Sequence, residues 1–114
     1  MTAEFVELRN FARRRDKYLS DDSFAALQRM LMANPEVGDT IKGTGGLRKV
    51  RFADRRRSKG KRGGLRIIYY WWSGGSQFWL FTVYDKNEQA DLTPADREAL
   101  AALLKQALRN RTSQ

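Results

Sequence analysis

The chain of 114 residues has no cysteine, no histidine and only two prolines. Without cysteine there is no disulfide framework, no thiol nucleophile and no thiolate site for zinc or an iron–sulfur cluster. Without histidine there is no Ser-His-Asp triad and no imidazole acid–base couple. No run approaches the ~20 apolar residues of a membrane-spanning helix. The first residues lack the charged-then-apolar pattern of a secretory signal. The reading is a soluble, cytoplasmic protein with no membrane partner. The length suits one domain, residues 1–114, since a single core commonly holds about 100–150 residues.

Acid is scarce where base is dense. Lys and Arg number 22 against 13 Asp and Glu, a net charge of +9. Residues 42–66 hold 11 of the 22 cations and a single acid, Asp54, so this stretch carries +10 and the other 89 residues −1. A concentrated basic block on a folded domain is the footprint of a polyanion, and counterion release makes phosphate the favoured partner. The plainer alternative is a solvated loop whose like charges repel and extend it. The block is not uniform, because both of its ends read as strand.

Residues 3–9 suit a short first strand, and Phe11 to Leu19 a short basic helix. Ser20 is placed to cap a second helix, with Asp21 and Asp22 near its positive end. Phe24, Leu27, Met30 and Leu31 recur there at helical spacing. Asn34-Pro35 ends that helix. Gly43-Thr44-Gly45-Gly46 reads as a tight turn rather than a phosphate loop, since neither a Lys-Ser/Thr pair nor a helix follows it. Leu47 to Phe52 alternates, with Lys49 and Arg51 on one face and Val50 and Phe52 on the other. Residues 54–64 read as a mobile basic loop. Leu65 to Trp72 and Gln77 to Tyr84 are strands joined by a turn at Ser73-Gly74-Gly75-Ser76. Thr93-Pro94 opens a last helix running to about Arg109, with an apolar stripe of Leu100, Leu103, Leu104, Ala107 and Leu108. That stripe either covers a sheet face or docks on a partner.

Lys49 and Arg51 leave one strand face about 7 Å apart. If the next strand pairs as a hairpin, Arg66 shares that face, and Lys86 follows at the sheet's end. Such convergent cations can clamp a phosphate and stabilise a pentacoordinate transition state. Alternatively each merely decorates an exposed surface. Tyr69, Tyr70, Trp71, Trp72, Phe78, Trp79, Phe81 and Tyr84 crowd two neighbouring strands. Those not in the core are available to stack on bases or hold a protein partner. Near-continuous apolar strands argue that both faces are partly covered. Ribonuclease chemistry without histidine is feasible, because the RNA 2′-OH is itself the nucleophile. The chain must supply a base, a charge clamp and an acid. A lysine among cations, Tyr84 and Glu88 are the candidates for proton transfer. Metal catalysis is disfavoured, as the block offers only Asp54 as a carboxylate ligand.

The run Asn-Pro-Glu-Val-Gly-Asp-Thr-Ile-Lys-Gly-Thr-Gly-Gly-Leu-Arg-Lys-Val-Arg at 34–51, then Gly-Gly-Leu-Arg-Ile-Ile-Tyr-Tyr at 63–70, Val-Tyr-Asp-Lys-Asn-Glu at 83–88 and Asp-Leu-Thr at 91–93, resembles the RelE/ParE superfamily of bacterial toxins, in particular its HigB-like branch. The resemblance spans about residues 5–108. It implies an α+β microbial ribonuclease-like fold, with a twisted antiparallel sheet of about four strands packed against N-terminal helices and a C-terminal helix. It implies the toxin of a type II toxin–antitoxin system, a ribosome-dependent mRNA endoribonuclease needing no cofactor. Its partners would be the ribosome, mRNA and a cognate antitoxin with a helix-turn-helix domain, through which alone operator DNA is bound. The family's catalytic positions fall on Lys49, Arg51, Arg66 and Lys86, with Tyr84 in place of a later tyrosine that this chain lacks. Arg55, Arg56, Arg57, Lys59, Lys61 and Arg62 would bind RNA. Two other classes stand beside this reading: a ParE-like inhibitor of DNA gyrase, against which the convergent cations argue, and a non-catalytic RNA-binding module with an aromatic sheet.

Overall fold

The computed structural model describes residues 2–53 and 64–112. The basic loop segment 54–63, with Arg55, Arg56, Arg57, Lys59, Lys61 and Arg62, lies outside the described residues. The elements are β1 (Glu4–Glu7), α1 (Arg9–Tyr18), α2 (Asp21–Ala33), β2 (Asp39–Thr40), β3 (Arg48–Phe52), β4 (Leu65–Trp72), β5 (Gln77–Asp85) and α3 (Pro94–Thr112). They form an α+β fold with helices on both faces of one sheet.

The sheet order is β1-β5-β4-β3-β2. The expected antiparallel meander β3-β4-β5 is present. Two features correct the expectation of about four antiparallel strands. The sheet has five strands, and β1 runs parallel to β5 at one edge. Parallel neighbours need a long crossover, and here the whole intervening chain supplies it. The fifth strand, β2, is only two residues long, too short to leave an alternation signal. It packs close because Gly38 precedes it: a Cβ there would sit 2.9 Å from the Tyr69 ring, while the Gly38 N–H donates to the Tyr69 hydroxyl at 3.0 Å.

The helix ends form where their cap residues stand. Ser20 Oγ accepts from the Ser23 N–H at 3.1 Å and starts α2. Thr93 and Asp96 cap α3 reciprocally: Thr93 Oγ1 accepts from the Asp96 N–H at 3.0 Å and Asp96 Oδ2 from the Thr93 N–H at 2.9 Å. Such a box contributes about 0.5–2 kcal/mol and fixes where the helix begins. Here it sets how α3 enters over the sheet.

The core divides at the sheet. On one side α1 and α2 bring Phe11, Leu27 and Leu31 onto Val50, Ile67, Tyr69, Phe78 and Val83. On the other, α3 brings Leu100 and Leu104 onto Leu47, Ile68, Trp79, Phe81 and Tyr84. Each fully buried apolar side chain of this size contributes roughly 1.5–3 kcal/mol. The α3 stripe therefore covers a sheet face, leaving Leu103 outside at 44% exposure. Five of the eight clustered aromatics (Tyr69, Phe78, Trp79, Phe81 and Tyr84) are at most 1% exposed. Tyr70, Trp71 and Trp72 are half-buried against the two cores. The aromatic cluster is thus core, not an open stacking platform, because helices occupy both faces.

Candidate phosphate clamp on the α3 face

The strand register sets the geometry. Arg51 on β3 lies opposite Arg66 on β4, and Arg66 lies opposite Tyr84 on β5. Opposed residues project from one face with Cβ atoms ~4.5–5.5 Å apart. The three side chains therefore form one row across the sheet. Lys49 stands in the adjoining row, opposite Ile68, itself opposite Thr82. Ile68 and Tyr84 belong to the α3 core, so Lys49, Arg51 and Arg66 share the α3 side. Val50 and Phe52 point into the other core. The alternation read from residues 47–52 is what the register shows.

Glycine and a bulge shape this end of the sheet. Gly64 enters β4 with φ +56°, and a Cβ there would lie 2.9 Å from the Phe52 carbonyl oxygen. The chain thereby turns tightly back beside β3, two residues before Arg66. The β4–β5 register shifts between Ile68 and Tyr69, which leaves Phe81 as the extra residue of β5. Such bulges re-aim neighbouring side chains.

Arg51 is exposed, whereas Arg66 is only 7% exposed and donates to the Leu65 carbonyl at 3.4 Å. Two like charges set opposite each other on neighbouring strands are destabilising. Lys49 Nζ is held by Asp91 Oδ1 at 3.2 Å. The same carboxylate oxygen accepts the Leu92 N–H at 2.7 Å. The Leu92 N–H and then Lys49 hold the Asp91 carboxyl below the usual range. Arg97 donates to the Leu92 carbonyl at 3.0 Å. Between β2 and this loop lies a cleft of about 410 Å³ lined by Lys42, Lys49, Asp91 and Arg97. With Asp39 also in its lining, this cleft sets Lys42, Lys49 and Arg97 against two carboxylates, so the charge beyond the row is mixed.

Tyr84 is 1% exposed, and its hydroxyl has no hydrogen-bond partner among the described residues. Burial, chiefly, pushes its hydroxyl above the ordinary tyrosine value; Asp91 adds to the rise and Arg66 opposes it. At neutral pH it is a proton-bearing donor, not a base. Lys86 follows β5, exposed, with its N–H donating to the Gly64 carbonyl at 3.2 Å. It stands two residues beyond Tyr84, at the mouth of the row. Glu88, the other candidate for proton transfer, lies elsewhere: it accepts the Tyr18 hydroxyl and pairs with Lys17 at 3.5 Å. Tyr18 first, and Lys17 less, hold its carboxyl below the usual range.

Sequence reasoning missed Asp91 and Arg97. No local pattern ties Asp91 to Lys49, 42 residues upstream, and only the cap motif at Thr93 announced that something ordered precedes α3.

No family model matches the chain. Its fold is similar to that of the Escherichia coli toxin RelE, solved as a double-arginine mutant in the free state. The TM-score is 0.50 and the identity 14%, over 79% of this chain and 90% of that one. At that identity the likeness shows a RelE-like α+β fold. Among the described residues no helix is long and apolar enough to cross a membrane.

Proposed function

We propose that this chain is a single toxin domain of a type II toxin–antitoxin system, of the HigB-like kind, and that it cuts mRNA on the ribosome in the cytoplasm. The observation that carries the reading is the row Arg51–Arg66–Tyr84 with Lys49 beside it on one sheet face. The similarity to RelE supports it at the level of fold. The antitoxin partner, with its helix-turn-helix domain and operator DNA, follows from the same reading.

The chemistry follows from the residues. RNA carries its own nucleophile, the 2′-OH next to the scissile phosphate. Attack builds negative charge on the phosphoryl oxygens of a pentacoordinate species. Preformed cations aimed at that charge commonly contribute ~10²–10³ in rate each. Arg66, backed by the buried face of the sheet, is the preorganised member. Arg51 closes on the phosphate from the next strand, and Lys49 and Lys86 bind from either side. Tyr84, holding its proton and buried beside Arg66, positions that arginine from the next strand. Arg55, Arg56, Arg57, Lys59, Lys61 and Arg62 bind flanking RNA by charge.

Primer extension on a defined mRNA in a cell-free translation mixture tests the proposal, with naked mRNA as control. The proposal requires cuts at discrete codon positions that appear only with ribosomes and vanish with Arg66→Ala. Intact mRNA with translation still running contradicts it, and a supercoiling assay then addresses gyrase.

A further inference from the structure

The connection from β5 to α3, residues 86–93, begins with Lys86. Its backbone extends the strand pairing by one step. The Lys86 N–H donates to the Gly64 carbonyl at 3.2 Å, which continues the register that sets Leu65 opposite Asp85 and Arg66 opposite Tyr84. Side chains alternate along a strand, so residue 86 projects to the same side as Tyr84. The exposed Lys86 side chain thus reaches the row only from where its backbone is held.

Past Lys86 the chain turns, and Asp85 shapes the turn. Its carbonyl accepts from the Glu88 and Gln89 N–H groups at 2.9 and 3.0 Å, and its Oδ1 from the Asn87 N–H at 2.8 Å. Those bonds are internal to the turn. A tie to the α1/α2 layer comes from Tyr18, the last residue of α1. Its side chain is packed in that core at 3% exposure, and its hydroxyl donates to Glu88 Oε1. A hydrogen bond to an ionised acceptor is of the strong kind, and a side chain packed in a core is a fixed point. Lys17 meets the other Glu88 oxygen at 3.5 Å, from an exposed position where an ion pair holds little.

We propose that Tyr18 is a positioning residue for Lys86. By holding Glu88 it fixes the turn 85–89 and keeps Lys86 at the end of the row Arg51–Arg66–Tyr84, where an RNA phosphate binds. Tyr18 itself touches no RNA. The proposal rests on the nuclease reading for the identity of the ligand as RNA.

The test reads the salt dependence of binding. A 2′-O-methyl RNA oligonucleotide is titrated into the whole protein over a range of salt concentrations and followed by fluorescence anisotropy. Each phosphate neutralised on a single strand contributes about 0.7 to the slope of log affinity against log salt. Lys86→Ala should lower the slope by about that amount. Tyr18→Phe changes no charge, yet should lower it by most of the same amount, and should add nothing in a Lys86→Ala background. A loss of folded protein alone would lower affinity alike at every salt concentration. Glu88→Ala, at an exposed position, should act like Tyr18→Phe. Glu88→Gln keeps an oxygen to accept the hydroxyl and should keep the parent slope. The proposal is overturned if folded Tyr18→Phe and Glu88→Ala proteins keep the parent slope, or if Tyr18→Phe lowers it equally with and without Lys86. A parent that binds this RNA but never cuts mRNA refutes the nuclease reading and leaves the role of Tyr18 standing.

Discussion

The two faces of the sheet are made by the same strands and do opposite things. Between Lys49 and Arg51 stands Val50, and beside Arg66 stands Ile67. The even register of β3 against β4 sends Val50 and Ile67 under α1 and α2. It sends Lys49, Arg51 and Arg66 to the α3 side. The α1/α2 face is apolar through the middle of the meander, at Val50, Ile67, Val83 and Phe78, with Arg48 and Asp85 at its ends. The α3 face is apolar under the helix body, at Ile68, Trp79 and Leu104, and carries Lys49, Arg51 and the buried Arg66 toward the β3–β4 end. The comparison teaches that a chain this small separates stability from chemistry by side-chain parity, not by domains. A one-residue slip of register would exchange the two.

The largest effect that tests this division is expected at Arg66. Arg66→Ala should lower ribosome-dependent cutting by about 10²–10³-fold, the usual cost of one preorganised charge-stabilising group. Circular dichroism should show the fold retained. The neighbouring residue gives the converse. Ile67→Ala removes a fully buried side chain and should cost about 2–5 kcal/mol in denaturant unfolding. Cutting per folded molecule should stay close to the parent's. If Ile67→Ala lost activity as completely as Arg66→Ala at equal folded fraction, the separation of faces would not hold.

Smaller changes sharpen the picture at the edge of the clamp. Asp91 holds Lys49 from a largely exposed position. Asp91→Asn should therefore change cutting by only about two- to fivefold, the scale of an exposed ion pair. The effect should shrink as salt rises.

The least effect is on pH dependence. Burial raises Tyr69 on one face and Tyr84 on the other above the ordinary tyrosine value of 10.0. Below that value both states of the protein hold the phenol proton. As pH rises past it the unfolded chain ionises first, so stability should fall on the alkaline side. Asp91 and Glu88 are lowered, so their contribution is present above the ordinary carboxylate range and lost as pH falls through their folded values. Urea melts from pH 3 to 11 check both limbs.

Much of this was legible in the chain because parity and caps are local. Val50 between two cations, Ser20 before two aspartates and Thr93-Pro94 each act within a few residues, and each stands where expected. The parallel pairing of β1 with β5 was not legible, since it joins residues more than 70 apart and leaves no periodicity. The aromatic strands were legible in part. The missing alternation in Tyr69, Tyr70, Trp71 and Trp72 already argued that both faces are partly covered; the packing adds that helices cover them fully enough to leave no open stacking platform. Of the site, Lys49, Arg51 and Arg66 were readable as a strand pattern. Asp91 and the cleft beside it arise from the loop before α3 folding back on β3, which no local pattern encodes.

The most direct test is a crystal structure with a short 2′-O-methyl RNA, which lacks the free nucleophile and so survives binding. A phosphate seated between the guanidinium groups of Arg51 and Arg66, on the α3 side of the sheet, is the expected result. RNA bound on the α1/α2 side, or along α3 with those two arginines untouched, would contradict the division of the sheet into a structural face and a chemical one.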